Sequence, residues 1–302
     1  GQWKWFVGEG RHGQTIGIGP KSNPFDSVFT KELFVQGIPD SHPDNVSWED
    51  IKEHANSHWI SNVYQDPATG NILAFLHHEH IYTWPGYPAY HRTGLAISKD
   101  GGNSFKWCGY IISPNLSYET WINHWYPENQ SCNMGLANYI VKDGYFYIYY
   151  TDYEDQPDPE KGQTERGLAV ARARVKDVIE AAEDYTVTRW QKYYQGTWNG
   201  KGLGGKYTPL NIKPLDKMHG DAAYNSTLGK YVLVTARYTS EPAVVISFSD
   251  DGIKWSEWQV VYEHDRPQQY ISLVSAGEDN EVLGRSFWVY YRWKREENGF
   301  DW

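Results

Sequence analysis

The chain is short of sulfur and of positive charge. Its 302 residues hold two cysteines and two methionines, and the formal net charge is −10 with no run of lysine or arginine. An acidic surface repels phosphate backbones, so nucleic acid is not an expected partner. No apolar stretch approaches the roughly 18–20 residues that a membrane-spanning helix needs, and no membrane partner is expected. Two cysteines allow one disulfide, between Cys108 and Cys132, or two buried thiols, and the sequence leaves both open. Nucleophile elbow, P-loop and dinucleotide fingerprint are all missing. Helical character is confined to 175–184, read as a short insertion. No leader peptide is visible at Gly1-Gln2-Trp3. The expectation is a mature chain without its targeting segment, secreted or periplasmic. Four Asn-x-Ser/Thr sequons, at Asn45, Asn115, Asn129 and Asn225, hint at secretion without requiring it.

What is abundant is aromatic. Phe, Trp and Tyr make up 16% of the chain, with 15 Trp and 24 Tyr. Such side chains suit a pleated, half-buried surface, so most of them are expected to fill a β core. Flat rings also stack on the apolar C–H faces of sugars. Nothing in the composition marks a second domain, and 1–302 is read as one unit.

Internal repetition organises the chain. Three segments read as a strand, a turn ending in Gly, and a second strand: 61–64 to Gly70 then 72–78, 136–139 to Gly144 then 145–152, and 221–224 to Gly229 then 230–237. A looser fourth copy runs from Tyr270 through Gly284 to Arg292. The first three continue into a third strand of small residues (93–98, 166–171 and 243–247) and a Trp-led fourth strand at Trp107, Trp190 and Trp255. Repeated four-stranded units are the sequence form of propeller blades. Strand-like pieces at 4–7 and 28–35, with Gly-rich turns, complete a fifth, either alone or by closing the ring with the C-terminal strand around Phe287 to Trp293. The predicted fold is all-β, a five-bladed β-propeller of four-stranded antiparallel blades. Ser98-Lys-Asp100-Gly-Gly102-Asn-Ser104-Phe105 fits the Asp-box pattern Ser-x-Asp-x-Gly-x-Ser/Thr-aromatic of sialidase-like propellers, and 249–255 is a shortened copy. Their part is structural: Asp caps a tight turn and Gly supplies positive φ.

Comparing the copies exposes one position that changes chemistry. Eight residues beyond each turn Gly stand His78, Asp152, Arg237 and Arg292. The end of a second strand lies at the same face as the start of a first strand, where His58 with Ser61, Asn133, and His219 with Asp221 stand. The expectation is a funnel that also draws on His54, Glu79 and His80. Asp152, Asp221, His78, His219 and Glu79 are the catalytic candidates. His58, His80, Arg237, Arg292 and His54 are the binding candidates. Cleaving a glycosidic bond takes two carboxyl groups. Asp152 and Asp221 are the best pair, with Glu79 as substitute, and the arginines suit the carboxylate of an acidic sugar. The spacings His54-x3-His58 and His78-x-His80 raise a metal reading, but such spacings are common by chance and no clear third carboxylate stands beside them.

The blade pattern, with the Ser249-Asp-Asp-Gly-x-x-Trp255 turn and the Trp190-Gln-Lys-Tyr-Tyr-Gln-Gly stretch, resembles the five-bladed propeller glycosidases, such as glycoside hydrolase families 43, 32, 62 and 117. The resemblance implies a carbohydrate-cleaving pocket on the axis and in some members a central, structural calcium ion. No cofactor is otherwise required. It departs from family 43, which opens an early blade with a catalytic Asp, where this chain offers His54, Asn56, His58 and Ser61. Family 117 combines acidic residues with a catalytic His, which His78 or His219 parallels. The expected function is a glycoside hydrolase acting on a plant, algal or microbial poly- or oligosaccharide. A uronate-specific lyase and a non-catalytic sugar-binding propeller are the alternatives.

Overall fold

The runs predicted as second strands are buried on both faces. In the computed structural model, every residue of 73–76, 146–150 and 232–236 is at most 5% exposed. Successive strand residues point to opposite faces, so each run must be covered on both. The structure describes residues 2–9, 13–23, 26–33, 35–38, 55–81, 89–121, 132–134, 138–154, 167–212, 220–237, 241–266, 268–277, 281–295 and 299–301.

The strands fall into consecutive groups. The first is β1 (Gln2–Glu9), β2 (Gly13–Pro20) and β3 (Val28–Leu33), all antiparallel. After the short β4 (Val35–Gln36) come β5 (Ala55–Gln65), β6 (Ile72–Ile81), β7 (Ala89–Ser98) and β8 (Phe105–Ile112), and β4 pairs in parallel with β8. One helical turn, α1 (Tyr118–Thr120), and β9 (Cys132–Met134) lead to β10 (Asn138–Lys142), β11 (Tyr145–Glu154) and β12 (Gly167–Arg174). Helix α2 (Val175–Glu183) follows, then β13 (Gln191–Tyr194) and β14 (Thr197–Lys201). Next come β15 (Asp221–Asn225), β16 (Lys230–Arg237), β17 (Ala243–Ser249) and β18 (Gln259–Glu263). The last group is β19 (Gln268–Ser275), β21 (Phe287–Arg295) and β22 (Gly299–Asp301), while β20 (Val282–Leu283) pairs in parallel with β15.

Each group packs its sheet face on the next, as propeller blades do. Phe6, Ile16 and Leu33 of the first cover Ile72, Ala74 and Leu76 of the second. Leu73 and Phe75, on the opposite face of β6, meet Phe146 and Ile148. Tyr147, Tyr149 and Val170 meet Ala222 and Leu233, and Val234 and Ala236 meet Ile271. The ring closes where Trp5 meets Tyr290 edge-on at 6.1 Å, and the Tyr290 hydroxyl donates to the Ser22 carbonyl at 3.0 Å. The fold is an all-β propeller.

Blade composition departs from the expectation in one respect. The first and last groups have three described strands each, and the second and third are joined through β7 and β9 into one sheet in which the third group runs from β10 to β14. The stretch read as Gly-rich turns is the strand β2, because glycine there answers packing: a Cβ on Gly19 would stand 2.2 Å from the Ser27 hydroxyl. The small third strands have a similar cause, since a Cβ on Gly94 would fall 2.1 Å from the Trp107 ring. Cys108 is a free thiol, which burial pushes up to about 12. Asn225 is buried, donates to the Gly284 carbonyl at 3.0 Å and accepts from Leu228 N–H at 2.9 Å, so its sequon is closed to glycosylation in the folded chain. Asn45 and Asn129 lie outside the described residues.

Both Asp-box turns form. Asp100 accepts from the Asn103 and Ser104 N–H groups at 2.9 and 3.0 Å and from the Ser104 hydroxyl at 2.6 Å. Gly102, at φ +82°, donates to Ser98 Oγ at 2.8 Å, and Phe105 is buried behind it. In the second copy Asp251 accepts from Ile253 and Lys254, while Tyr149 of the neighbouring blade donates to the Gly252 carbonyl at 2.8 Å. These bonds hold the Asp100 carboxyl well below the usual carboxylate range. Asp100 therefore stabilises the fold above its unfolded pKa, and that contribution is lost as pH falls. Asp100→Ala is expected to cost about 1–2 kcal/mol at neutral pH, a modest figure for an exposed, screened group. Urea unfolding should show the penalty shrinking as pH drops below 4 (the ordinary range, about 3.9).

Candidate functional site

The first strands of the blades run along the centre, and side chains cross-link them there. Asn138 on β10 donates to the Gly220 carbonyl at 2.8 Å, and the Tyr139 hydroxyl bonds the Val63 carbonyl at 2.9 Å and Glu281 Oε1 at 2.7 Å. Asp221 opens β15 at the point where β5, β15 and β19 meet. Its Oδ1 accepts from Ala222 N–H and its Oδ2 from Leu273 N–H, both at 2.9 Å, and Asn62 on β5 adds a side-chain hydrogen bond. Those bonds favour the carboxylate, whereas burial favours the acid. Burial wins and pushes the group up to about 6.

The upper end of blade β5–β8 carries the histidines, and the two faces of β6 divide them. On one face His78 stands opposite His58 on β5 and Arg92 on β7, and His80 stands opposite Tyr90. His78 is 1% exposed, with the Tyr110 hydroxyl 3.4 Å from its Nδ1, and Arg92 lies 3.7 Å over the Tyr110 ring. The segment after β8 folds back as a cover: Tyr118 bonds His80 Nε2 at 2.8 Å, and Trp121 packs on Tyr90. Burial, with Arg92 adding repulsion, pushes His78 down to about 2, and burial pushes His58 down to about 4. His78 and His80, expected to line an open funnel, are instead enclosed among aromatic rings, and at His78 a neutral imidazole avoids the cost of a buried charge.

Glu79 points to the other face. It lies 3.0 Å from His77 Nε2 and 3.9 Å from His91 Nε2, and His91 is its cross-strand neighbour. Glu79 stands opposite Ser57, five residues along β5 from Asn62. The bulge at Ser61 takes up one of those residues: Phe75 is the β6 residue opposite Asn62, and Glu79 stands four residues beyond it, roughly 13 Å along the strand. Its carboxylate turns toward His77 and His91. His58, opposite His78, lies about 10 Å along the strand from the level of Asn62.

The remaining candidates divide. Arg237 is held locally, donating to the Glu241 carbonyl at 2.7 Å and pairing with its carboxylate at 3.4 Å. Arg292 is half-buried on β21 opposite Gln269. Burial lowers its pKa, and nearby Tyr270 offsets part of the shift. Asp152 pairs with Gly167 and Met134 at the same end of the ring, but its side chain lies outside the described atoms, as do residues His54 and His219. The sequence reading passed over Asn62 for its neighbour Ser61, where the register shifts. It also passed over His77 and His91, whose signal is cross-strand and needs the β6–β7 register.

No protein-family model matches the chain, and no curated protein sequence does. Solved structures do. The catalytic domain of a family 62 α-L-arabinofuranosidase from Coprinopsis cinerea superposes with TM-score 0.50 over 100% of this chain and 83% of that one, at 9% identity. The likeness is one of fold. Zg3597, a family 117 glycoside hydrolase from Zobellia galactanivorans, gives TM-score 0.46 at 11% identity, covering 82% of this chain and 68% of that one.

Proposed function

We propose that this protein is a glycoside hydrolase in which Asp221 is the general acid. The observation that carries the reading is a carboxyl group at the centre of the ring whose burial raises it to about 6, which keeps it protonated in mildly acidic solution. Asp221 gives its proton to the glycosidic oxygen as the bond to the anomeric carbon breaks. A second carboxylate on the opposite side of the sugar activates water or attacks the same carbon. Asp152 fills that role. It lies three residues beyond Tyr149, whose partner Asn138 holds Gly220, a rise of about 10 Å. The fold neighbour from Coprinopsis cinerea, an α-L-arabinofuranosidase, supports a carbohydrate as the substrate class.

Tyr270 supplies the sugar platform. It is 38% exposed, adopts φ +57°, and precedes by three residues the Leu273 N–H that binds Asp221. A tyrosine in the left-handed region costs roughly 1–2 kcal/mol, and such strain gathers at binding sites. Arg292 beside it suits the carboxylate of an acidic sugar. Tyr270→Gly is expected to raise KM about tenfold, equivalent to 1.4 kcal/mol, with kcat and Tm little changed. Steady-state kinetics and thermal melts of the variant check this.

The test of the reaction is mass spectrometry of products from a panel of plant, algal and microbial oligosaccharides, with and without uronates. Two fragments that together gain one water support hydrolysis. Fragments with no added water and a new ultraviolet-absorbing C=C bond would mean elimination. Saturable binding without cleavage would make the chain a sugar-binding propeller.

A further inference from the structure

The cluster of His77, Glu79 and His91 has no part in the chemistry assigned to Asp221, and we infer that it binds a zinc-type divalent metal ion. His77 and Glu79 alternate along β6, and His91 stands opposite Glu79 on β7, so all three share one face. One donor atom from each lies within 4.8 Å of the others. Two ligands each about 2.1 Å from a tetrahedral zinc ion stand roughly 3.4 Å apart, and the distances of 3.0 and 3.9 Å from Glu79 Oε1 to the two imidazole Nε2 atoms bracket that value.

The donor set is selective. Two imidazoles and one carboxylate are a set that zinc takes in open sites, whereas calcium takes six to eight oxygens. The site is also held in place. His77 and His91 are 5% and 6% exposed, their rings meet edge to face at 5.0 Å, and Trp59 stacks on His77 at 6.1 Å. Ring orientations fixed before binding reduce the ordering cost on metal entry. The Glu79 side chain keeps 23% of its surface open, which leaves a route in and a position for water on the ion. The ion cross-links the β6–β7 hairpin at its upper end. The inference stands whether or not the chain cleaves sugars.

Calorimetric titration of the metal-stripped full chain with Zn2+ alone tests it, together with metal analysis of the dialysed product. The expected result is one zinc ion per chain and a higher Tm with zinc present. Glu79→Gln and His91→Ala should each weaken binding by at least about a hundredfold and abolish the Tm shift. Glu79→Gln keeps the shape of the side chain, so it decides the matter if His91→Ala fails to fold. Co2+ in place of Zn2+ should give the visible absorption of a four- or five-coordinate site in the unmodified chain and not in Glu79→Gln. No stoichiometric zinc, or equal affinity in Glu79→Gln, would overturn the assignment and leave a hydrogen-bonded His77–Glu79 pair.

Discussion

Asp221→Asn is expected to lower kcat by about 10²–10⁴-fold while leaving KM nearly unchanged. An amide fills the same space but has no proton to give the leaving oxygen. The pH profile separates this role from a merely structural one. In the unmodified chain activity should fall as pH rises through about 6, because the acid form of Asp221 is lost there. That limb should vanish in Asp221→Asn. Stability should follow the same group. The folded-state pKa lies above the ordinary 3.8, so its contribution is fully present below 3.8 and is lost as pH rises through about 6. The slope is about −1.4 kcal/mol per pH unit within that window. Urea unfolding at pH 4 and 7 should show the slope in the unmodified chain and a flatter line in the variant. Full turnover in Asp221→Asn, with only the melting temperature reduced, would leave Asp221 as a tie between β5, β15 and β19.

Phe146→Ala is expected to cost about 3–5 kcal/mol, the largest stability loss among the substitutions considered. Phe146 is fully buried where two blades meet. Its ring centre lies 4.9 Å from Tyr64, 5.4 Å from Phe75, 5.5 Å from Tyr139 and 6.5 Å from Trp190. Removing it opens a hole lined by rings from both blades, and rings on stiff strands cannot collapse to fill it. The same cluster holds Tyr139, whose hydroxyl ties β10 to β5, so the loss should reach the central cross-links. Denaturant midpoints for Phe146→Ala and Phe146→Leu measure it. Recovery of most of the stability in Phe146→Leu would identify volume as the cause, and a loss below about 1 kcal/mol in Phe146→Ala would contradict this packing account.

The fold was legible because its signals are local and repeated. Asp100 and Asp251 lie in turns a few residues long, and each bond they make is to a neighbour in sequence. The second strands were equally plain, since burial on both faces writes an unbroken apolar run such as 146–150. β2 was not legible, because Gly13, Gly17 and Gly19 read as turn residues until the Ser27 backbone is seen against Gly19. For the candidate site the sequence offered strand ends and no further detail. Counting from the turn glycine placed His78, Asp152, Arg237 and Arg292 on one end of the ring. It could not say that β5 and β6 rise well past Asp221, or that the cover formed by Tyr118 and Trp121 closes over His80.

By itself the sequence determined the β-propeller, its Asp-box turns and its dependence on aromatic packing. Each of these follows from residues near one another in the chain or from comparing one copy of the repeat with the next. Only the tertiary structure decided that burial raises the Asp221 carboxyl, that His78 and His80 are enclosed, and that His77, Glu79 and His91 share a face. Burial and cross-strand register depend on segments far apart in sequence. Leu273 and Asn62 reach Asp221 from other blades, and no pattern along β15 records their arrival.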